Sequence, residues 1–377
     1  MDKLSVLLVN MSIDKVTGGG TATRTLQLAK SIKEDFGINC IILSTDQGLD
    51  ANTKSYYSNL NSILLPCINE RFYIPYFSWT KLKKIIDKVD IVHLMSHWTL
   101  INVIVYFLVR RLNKPYTFCP AGTLHIFGRS SILKRLYNVF IGTKIIKNAT
   151  QCIAITELEK QDFLAFGVEK NLIKVIPNGI DSREFYPDQI AKESFNMKYG
   201  LRDVSYILFM GRLNMIKGPD ILLDAFVKLS IEFPKIHLVL AGPDEGLASQ
   251  LRKKIITNLL EKRVHLLGYI DEEMKIGAYT GAQILVVPSR REAMSIVAIE
   301  AGACGTPVLL TTECGFNEVK DAGCSVVQPL SEELYKELYN MFSSKQNLGS
   351  LGINFRNFVM DRYTWKNAAQ KYLEFKL

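Results

Sequence analysis

Two cations and two carboxylates stand at spacings that suit chemistry on a phosphorylated, hydroxyl-rich ligand. In ILFMGRLNMIKGPDILLDAF, Gly211 closes an apolar run, and Arg212 and Lys217 follow in the next loop. A loop at the carboxyl end of a buried strand is where paired cations clamp a diphosphate. In ILVVPSRREAMSIVAIEAGACG, Glu292 falls in a post-strand loop and Glu300 inside the helix that follows, eight residues on. At roughly 1.5 Å per residue that puts it about 12 Å farther along the axis. Carboxylates so separated suit hydroxyls at opposite ends of an elongated ligand. Between them, the amides near Met294, Ser295 and Ile296 open the helix and can meet a phosphate lying midway. Glu300 sits in an otherwise apolar helix and needs a hydrogen-bonding partner, because an unpaired buried carboxylate is costly.

A third segment, KVTGGGTATRTLQLAK, sets Gly18, Gly19 and Gly20 ahead of a helix. Consecutive glycines let a backbone approach a ligand closely, and the positive end of the helix faces any anion there. A plain flexible turn accounts for the same residues equally well. The spacing matches neither G-x-G-x-x-G nor the phosphate loop ending in Gly-Lys-Ser/Thr, which disfavours a dinucleotide dehydrogenase and a P-loop NTPase. No Asp-x-Asp motif is present to hold a divalent ion against a diphosphate, and no Cys-x-x-Cys pair suggests zinc. Neither a metal nor another cofactor is expected.

The elements that must position these residues alternate. SVLLVN, TATRTLQLAKSIKED, CIILST, TKLKKIIDK and IVHLM read as strand, helix, strand, helix, strand. A turn-rich break, VIPNGIDSREFYPD, precedes a second series running from SYILFMG through HLVLAG, VHLLGY and QILVVPS to TPVLLT. The 377 residues, 48% hydrophobic and 22% charged, suit two α/β domains, each with a doubly wound parallel sheet. The expected boundaries are 1–180 and 181–359, with a terminal helix from about 360 to 377 packing back on the first domain. Ligands of such folds bind at the carboxyl ends of strands, here where the domains face each other. The apolar run WTLINVIVYFLV is too short to span a bilayer and contains Asn102, so a buried helix is expected. Seven cysteines, an odd number, suit free thiols in a reducing cytosol.

The net charge of +9 is unevenly placed: residues 1–180 hold 22 Lys and Arg against 13 Asp and Glu, and the remainder is balanced at 24 of each. No acidic residue lies between Asp90 and Glu157, while Arg110, Arg111, Lys114, Arg129, Lys134, Arg135, Lys144 and Lys147 fall in that gap. Within it, SSILKRLYNVFIGTKIIKNAT spaces apolar and basic residues as a helix on an anionic membrane surface does, and RFYIPYFSWTKLKK adds an aromatic and basic stretch. A half-buried helix with a solvated basic face is the simpler alternative. No nucleic-acid recognition motif is present, so nucleic acid is not an expected partner.

GRL-x3-KG, E-x7-E, G-x-PV, VIPNGID, the glycine loop after the first strand and the terminal YTWKNAAQKYLEF together resemble the retaining glycosyltransferases of family 4. The resemblance covers nearly the whole chain and implies the GT-B architecture, two Rossmann-like domains with the active site in the cleft between them. It implies that Arg212 and Lys217 neutralise the departing nucleotide diphosphate. Glu292 would lie close to the donor sugar and Glu300 on the ribose hydroxyls, the base falling against Gly268 to Ile270, hence Tyr269. Gly19 and Gly20 would touch the diphosphate from the first domain. Departures cluster on the acceptor side. Where relatives read H-x-H, DIVHLMSHW keeps His93, has Met95 at the second position and offers His97; where relatives often carry P-H-G, this chain has Pro120-Ala121-Gly122 with His125 downstream.

The implied activity is transfer of a hexose or N-acetylhexosamine from a UDP- or GDP-sugar to a hydroxyl of a lipid-linked glycan or lipopolysaccharide acceptor, with retention and without metal. Such an enzyme would work in the cytoplasm, peripheral to the inner face of the plasma membrane, in bacterial surface polysaccharide biosynthesis. A non-hydrolysing nucleotide-sugar epimerase of the same fold and a glycosyltransferase acting on a soluble acceptor are the alternatives. A pyridoxal phosphate-dependent phosphorylase and a non-catalytic sugar-nucleotide sensor stand further off.

Overall fold

The computed structural model describes residues 4–14, 17–58, 60–124, 126, 130–344 and 347–375. The chain forms two compact units, Met1–Gly179 with Trp365–Leu377 and, between these, Ile180–Thr364. The return to the first unit thus begins at Trp365, a few residues later than the sequence suggests. The helix Leu348–Arg362 stays with the second unit, and only Trp365–Leu373 belongs to the first.

The first unit is built on β1 (Ser5–Ser12), β2 (Asn39–Thr45), β3 (Ser62–Leu65), a hairpin of β4 (Cys67–Asn69) and β5 (Ile74–Pro75), then β6 (Ile91–Met95), β7 (Tyr116–Cys119), β8 (Gln151–Ala154) and β9 (Ile173–Val175). Its main sheet is wholly parallel, in the order β3-β2-β1-β6-β7-β8-β9. Strands covered by helices read as unbroken apolar runs, and β1 and β6 are buried along nearly their whole length. The strand order reverses between β1 and β6. The loops after those two strands are therefore neighbours; the first ends at Gly18, which caps the helix Gly19–Glu34, and the second holds Ser96 to Thr99.

The run WTLINVIVYFLV becomes the helix Leu100–Arg111, which buries Ile101, Ile104, Val105, Leu108 and Val109 in the unit's core. Among the described residues no helix is long and apolar enough to cross a membrane. The basic segment is one helical stretch, Ser131–Tyr137 and Thr143–Lys147 joined through a π-helical turn at Asn138–Gly142. Its first part buries no residue, and Ile132, Leu133, Leu136, Val139 and Phe140 are exposed.

The second unit has β10 (Ser205–Met210), β11 (Ile236–Ala241), β12 (Val264–Gly268), β13 (Ile284–Val287), β14 (Val308–Thr311) and β15 (Ser325–Val327), parallel in the order β12-β11-β10-β13-β14-β15. Here the order reverses between β10 and β13, whose pairing is Ile207 with Ile284 and Leu208 with Leu285. All seven cysteines are free thiols.

Candidate active site

In a doubly wound sheet the loops at the carboxyl ends of the strands diverge where the strand order reverses, and ligands bind there. In the second unit those are the loops after β10 and β13, which hold Arg212, Lys217 and Glu292. Two glycines let the backbones meet. Gly218, at φ +71, would place a Cβ 2.1 Å from the Pro288 carbonyl oxygen, so only glycine lets the β10 loop close onto the β13 loop. Gly242, at φ +145, would likewise set a Cβ 1.9 Å from the Gly211 carbonyl oxygen. Arg290 then pins the two loops, Nη1 donating to the Met215 carbonyl oxygen at 2.6 Å, and forms a bidentate pair with Asp220 in the first turn of the helix Pro219–Glu232, at 2.8 and 2.6 Å.

Lys217 Nζ donates to Glu292 Oε1 at 2.7 Å, and Ser289 Oγ donates to Glu292 Oε2 at 3.1 Å. Both partners of the ion pair are largely shielded, with 22% of the lysine and 12% of the glutamate side chain accessible. The Lys217 amide donates to Asn214 Oδ1 at 2.9 Å, while Asn214 Nδ2 reaches Glu245 Oε2 at 2.7 Å. Arg212 Nη1 completes the row, donating to Glu245 Oε1 at 2.9 Å. The hydrogen bonds from Asn214 and then Arg212 hold the Glu245 carboxyl below its ordinary pKa.

Each of the two expected cations therefore has a carboxylate partner within the protein. The side-chain cluster is charge-balanced, and an incoming diphosphate would compete with Glu292 for Lys217 and with Glu245 for Arg212. Glu245, Asn214 and Ser289 were not singled out in the sequence. The Asp-Glu pair after HLVLAG was the signal for Glu245, since β11 lies parallel to β10 and its following loop must run beside Arg212.

Glu292 lies outside the helix, which starts only at Ile296, so the helical rise applies to half of the interval to Glu300. The three amides expected to face a phosphate also differ among themselves. The Ser295 amide donates to the Cys314 carbonyl oxygen at 3.1 Å, which removes it from the set. The amides of Ile296 and Val297, the first of the helix, carry no hydrogen bond among the described residues. The positive end of the helix is directed through those two. Met294 is buried beside them.

Glu300 has the partners that its burial demands. Tyr279 Oη donates to Oε2 at 2.6 Å, and Lys275 Nζ donates to Oε1 at 3.1 Å. Burial and then the Glu300 charge raise the Tyr279 pKa well above the phenolic range. Burial alone would lower that of Lys275, but Glu300 and Glu272 outweigh it and the net shift is upward. A carboxylate offers about four lone-pair sites, so Glu300 retains acceptor capacity for further hydroxyls. Tyr269, just past β12, is 74% exposed.

In the first unit Gly19 and Gly20 form the first turn of the helix Gly19–Glu34, with Asp14 Oδ2 accepting from the Thr17 amide and hydroxyl to shape its approach. His93 is fully buried, its Nδ1 2.6 Å from Thr117 Oγ1, and burial lowers its pKa to about 3. His97 is buried among Trp98, Phe118, Tyr137 and Phe166, with Nε2 2.9 Å from Asn138 Oδ1. Burial, partly offset by that bond, lowers its pKa to about 4. Both rings are neutral near pH 7. His125 lies outside the described residues. Among those described, no group of three or more His, Cys, Asp or Glu converges as a metal site.

A family model described as Glycosyltransferase Family 4 matches residues 18–184, and one described as Glycosyl transferases group 1 matches residues 192–349. The chain is similar to the D-inositol 3-phosphate glycosyltransferase of Xylanimonas cellulosilytica, at 31% identity over 47% of the chain and 44% of that protein. It is also similar to one component of the human phosphatidylinositol N-acetylglucosaminyltransferase, at 24% identity over 94% of the chain and 72% of that protein. The chain spans about half the length of the curated relatives it matches first, 53% and 44%. Among solved structures, Anabaena HepE in complex with UDP and glucose superposes with a TM-score of 0.77, at 18% identity and 98% coverage of each chain. At that identity the likeness is one of fold.

Proposed function

Because the chain belongs to glycosyltransferase family 4 and has the GT-B fold, we propose that it moves a hexose or N-acetylhexosamine from a UDP- or GDP-sugar to a hydroxyl of a lipid-linked glycan or lipopolysaccharide acceptor. Transfer retains the anomeric configuration, needs no metal, and serves synthesis of a bacterial surface polysaccharide. The observation that carries the reading is the shielded Lys217–Glu292 pair at the strand-order reversal of the second unit. The reaction breaks the bond from the anomeric carbon to the diphosphate oxygen and forms one to the acceptor oxygen. Charge accumulates on the departing diphosphate while the sugar becomes cation-like.

Lys217, Arg212 and the amides of Ile296 and Val297 meet that charge with preorganised donors. Glu292, released by Lys217 as the lysine turns to the diphosphate, faces the sugar. Retention follows if the acceptor attacks the face from which the diphosphate leaves and its proton passes to a diphosphate oxygen. Glu300, held by Tyr279 and Lys275, accepts from the ribose hydroxyls.

A panel of nucleotide sugars tested for protection against thermal unfolding checks the donor. Occupancy at about 100 times Kd stabilises by about 2.7 kcal/mol, so the true donor stands out as a rise in the unfolding midpoint. If no UDP- or GDP-sugar raises it, the reading fails.

The acceptor class is supported by the first unit. Ile132, Leu136, Val139 and Phe140 are exposed on the helical stretch that also carries Lys134, Arg135 and Lys144. Apolar residues facing outward on a basic helix suit an anionic bilayer, each nearby cation contributing about 1 kcal/mol. The expected result is flotation with anionic vesicles at low salt and release as salt is raised; protein remaining in solution at low salt overturns the membrane reading. A soluble phosphorylated acceptor is the second reading, favoured by the name of the inositol phosphate relative and by the same basic surface.

A further inference from the structure

Glu159 has a place in the first unit that its role as a helix-start residue does not explain. It lies in the first turn of the helix Glu157–Ala165, where its amide donates to Thr156 Oγ1 at 3.2 Å. Its side chain is not turned to solvent, as first-turn acids commonly are, and the residue is 5% exposed. Oε2 accepts from the Ile155 amide at 2.7 Å, in the loop after β8, and Oε1 accepts from the Gly122 amide at 2.5 Å, in the loop after β7. One carboxylate therefore ties together the carboxyl ends of two adjacent strands.

The loop it grips is strained. Ala121 and Gly122 are both left-handed, at φ +50 and +86. An alanine in that region is strained, its Cβ crowding the carbonyl oxygen, and persists only where the surroundings hold it. The same loop supports the one after β6: the Ser96 amide donates to the Cys119 carbonyl oxygen at 2.9 Å, the His97 amide to Thr123 Oγ1 at 2.9 Å, and Trp98 Nε1 to the Thr123 carbonyl oxygen at 2.6 Å. Ser96 and Trp98 are themselves left-handed, at φ +68 and +54. Two strained loops at the carboxyl edge of this sheet thus lean on each other, and Glu159 anchors one of them from below.

We infer that Glu159 is a positioning residue for the acceptor side of the site, its carboxylate fixing the Pro120–Thr123 turn and through it the Ser96–Trp98 loop. The assignment of that side to the acceptor rests on the proposed glycosyl transfer; the anchoring itself does not. An ionised carboxylate accepts from both amides. A protonated one keeps a single good acceptor oxygen and carries a hydroxyl proton opposite an amide, so the Gly122 contact is lost or weakened.

The charged and titratable groups facing Glu159 are Arg24 from the helix Gly19–Glu34, Cys119 at the end of β7 and Asp162 one turn along its own helix. Burial raises the Glu159 carboxyl to about 7, against the lowering effects of the Ile155 and Gly122 amides and of Arg24. The Cys119 thiol is pushed up, chiefly by burial, and stays neutral. The ionised carboxylate holds the turn through both amides, and its hold on Gly122 weakens as pH falls through about 7.

Hydrogen exchange at the Gly122 amide of the full chain, corrected for the intrinsic pH dependence of exchange, tests this without any acceptor. Protection in the wild type is expected to fall about tenfold from pH 8 to pH 6, the loss of one hydrogen bond to a charged group. In Glu159→Gln it is expected to be low and level across that range, with UDP or GDP binding unchanged and a melting temperature confirming the fold. Level protection in the wild type, or a Glu159→Gln profile that follows the wild type, overturns the inference. If Glu159→Gln does not fold, the wild-type profile decides alone. Nucleotide binding separates the two readings: loss of the pH step with nucleotide still bound defeats the positioning role only, whereas an intact step in a protein that binds neither UDP nor GDP defeats the proposed transfer only.

Discussion

Lys217→Ala is expected to lower the transfer rate by two to three orders of magnitude, roughly 3–4 kcal/mol in the barrier, the range for removing one preorganised donor from an anionic transition state. Nucleotide affinity should change far less. In the ground state Lys217 has a carboxylate partner 2.7 Å away, and binding of the donor exchanges that partner for a diphosphate. The exchange is nearly neutral for binding. As the glycosidic bond stretches and charge builds on the diphosphate, the balance tips toward the phosphate side, so the lysine contributes mainly to kcat.

Lys217→Ala also leaves Glu292 with only the Ser289 hydroxyl on its side chain, in a place where 12% of that side chain is accessible. Pairing the substitution with Glu292→Gln separates the two effects. If the double variant is no slower than Lys217→Ala alone, the loss belongs to the charge pair acting as a unit; a Lys217→Ala enzyme that turns over at the wild-type rate removes the diphosphate role altogether.

What the sequence made legible was the part governed by short-range rules. Strand runs such as SYILFMG and QILVVPS, and the loops that must follow them, put Arg212, Lys217 and Glu292 in their correct elements. The requirement that a buried Glu300 have partners was also legible, but not which ones: Lys275 and Tyr279 lie 25 and 21 positions away on another helix, and only the packed sheet brings them near. The pairing of each expected cation with a carboxylate was hidden for the same reason, since Glu245 reaches Arg212 through the β10–β11 register.

The Ser295 amide was misjudged because a helix start shows in sequence only to within a residue or two, and one residue decides whether an amide faces a ligand or a neighbouring loop. Glu159 was invisible as anything but a helix-start acid. Nothing in TELEK tells which of its two glutamates turns inward.

The other large effect is structural and concerns Arg24, a residue the sequence did not mark. It sits in the helix after the glycine triplet, 1% exposed. Nη1 donates to Asn178 Oδ1 at 2.8 Å, and Nη2 donates to the Ile176 carbonyl oxygen at 2.7 Å and to Tyr372 Oη at 3.3 Å. The guanidinium also lies 5.6 Å from the centroid of the Tyr372 ring. One cation thus joins the first helix of this unit, the segment after β9 and the terminal helix Trp365–Leu373.

Arg24→Met keeps the apolar volume but removes the donors, leaving buried acceptors facing a thioether. The expected cost is about 3–5 kcal/mol, since donor bonds from charged groups contribute about 1.5–3 kcal/mol each and stranding their buried acceptors adds desolvation. Because the contacts all fall within the first unit, calorimetry should show its transition moving down while that of Ile180–Thr364 holds. Arg24→Lys should recover only part of the loss, a point charge being unable to serve three acceptors in a planar fork. Equal melting of wild type and Arg24→Met would mean that the terminal helix is held by its buried Trp365, Ala368, Ala369 and Tyr372 alone, with the guanidinium contributing nothing net.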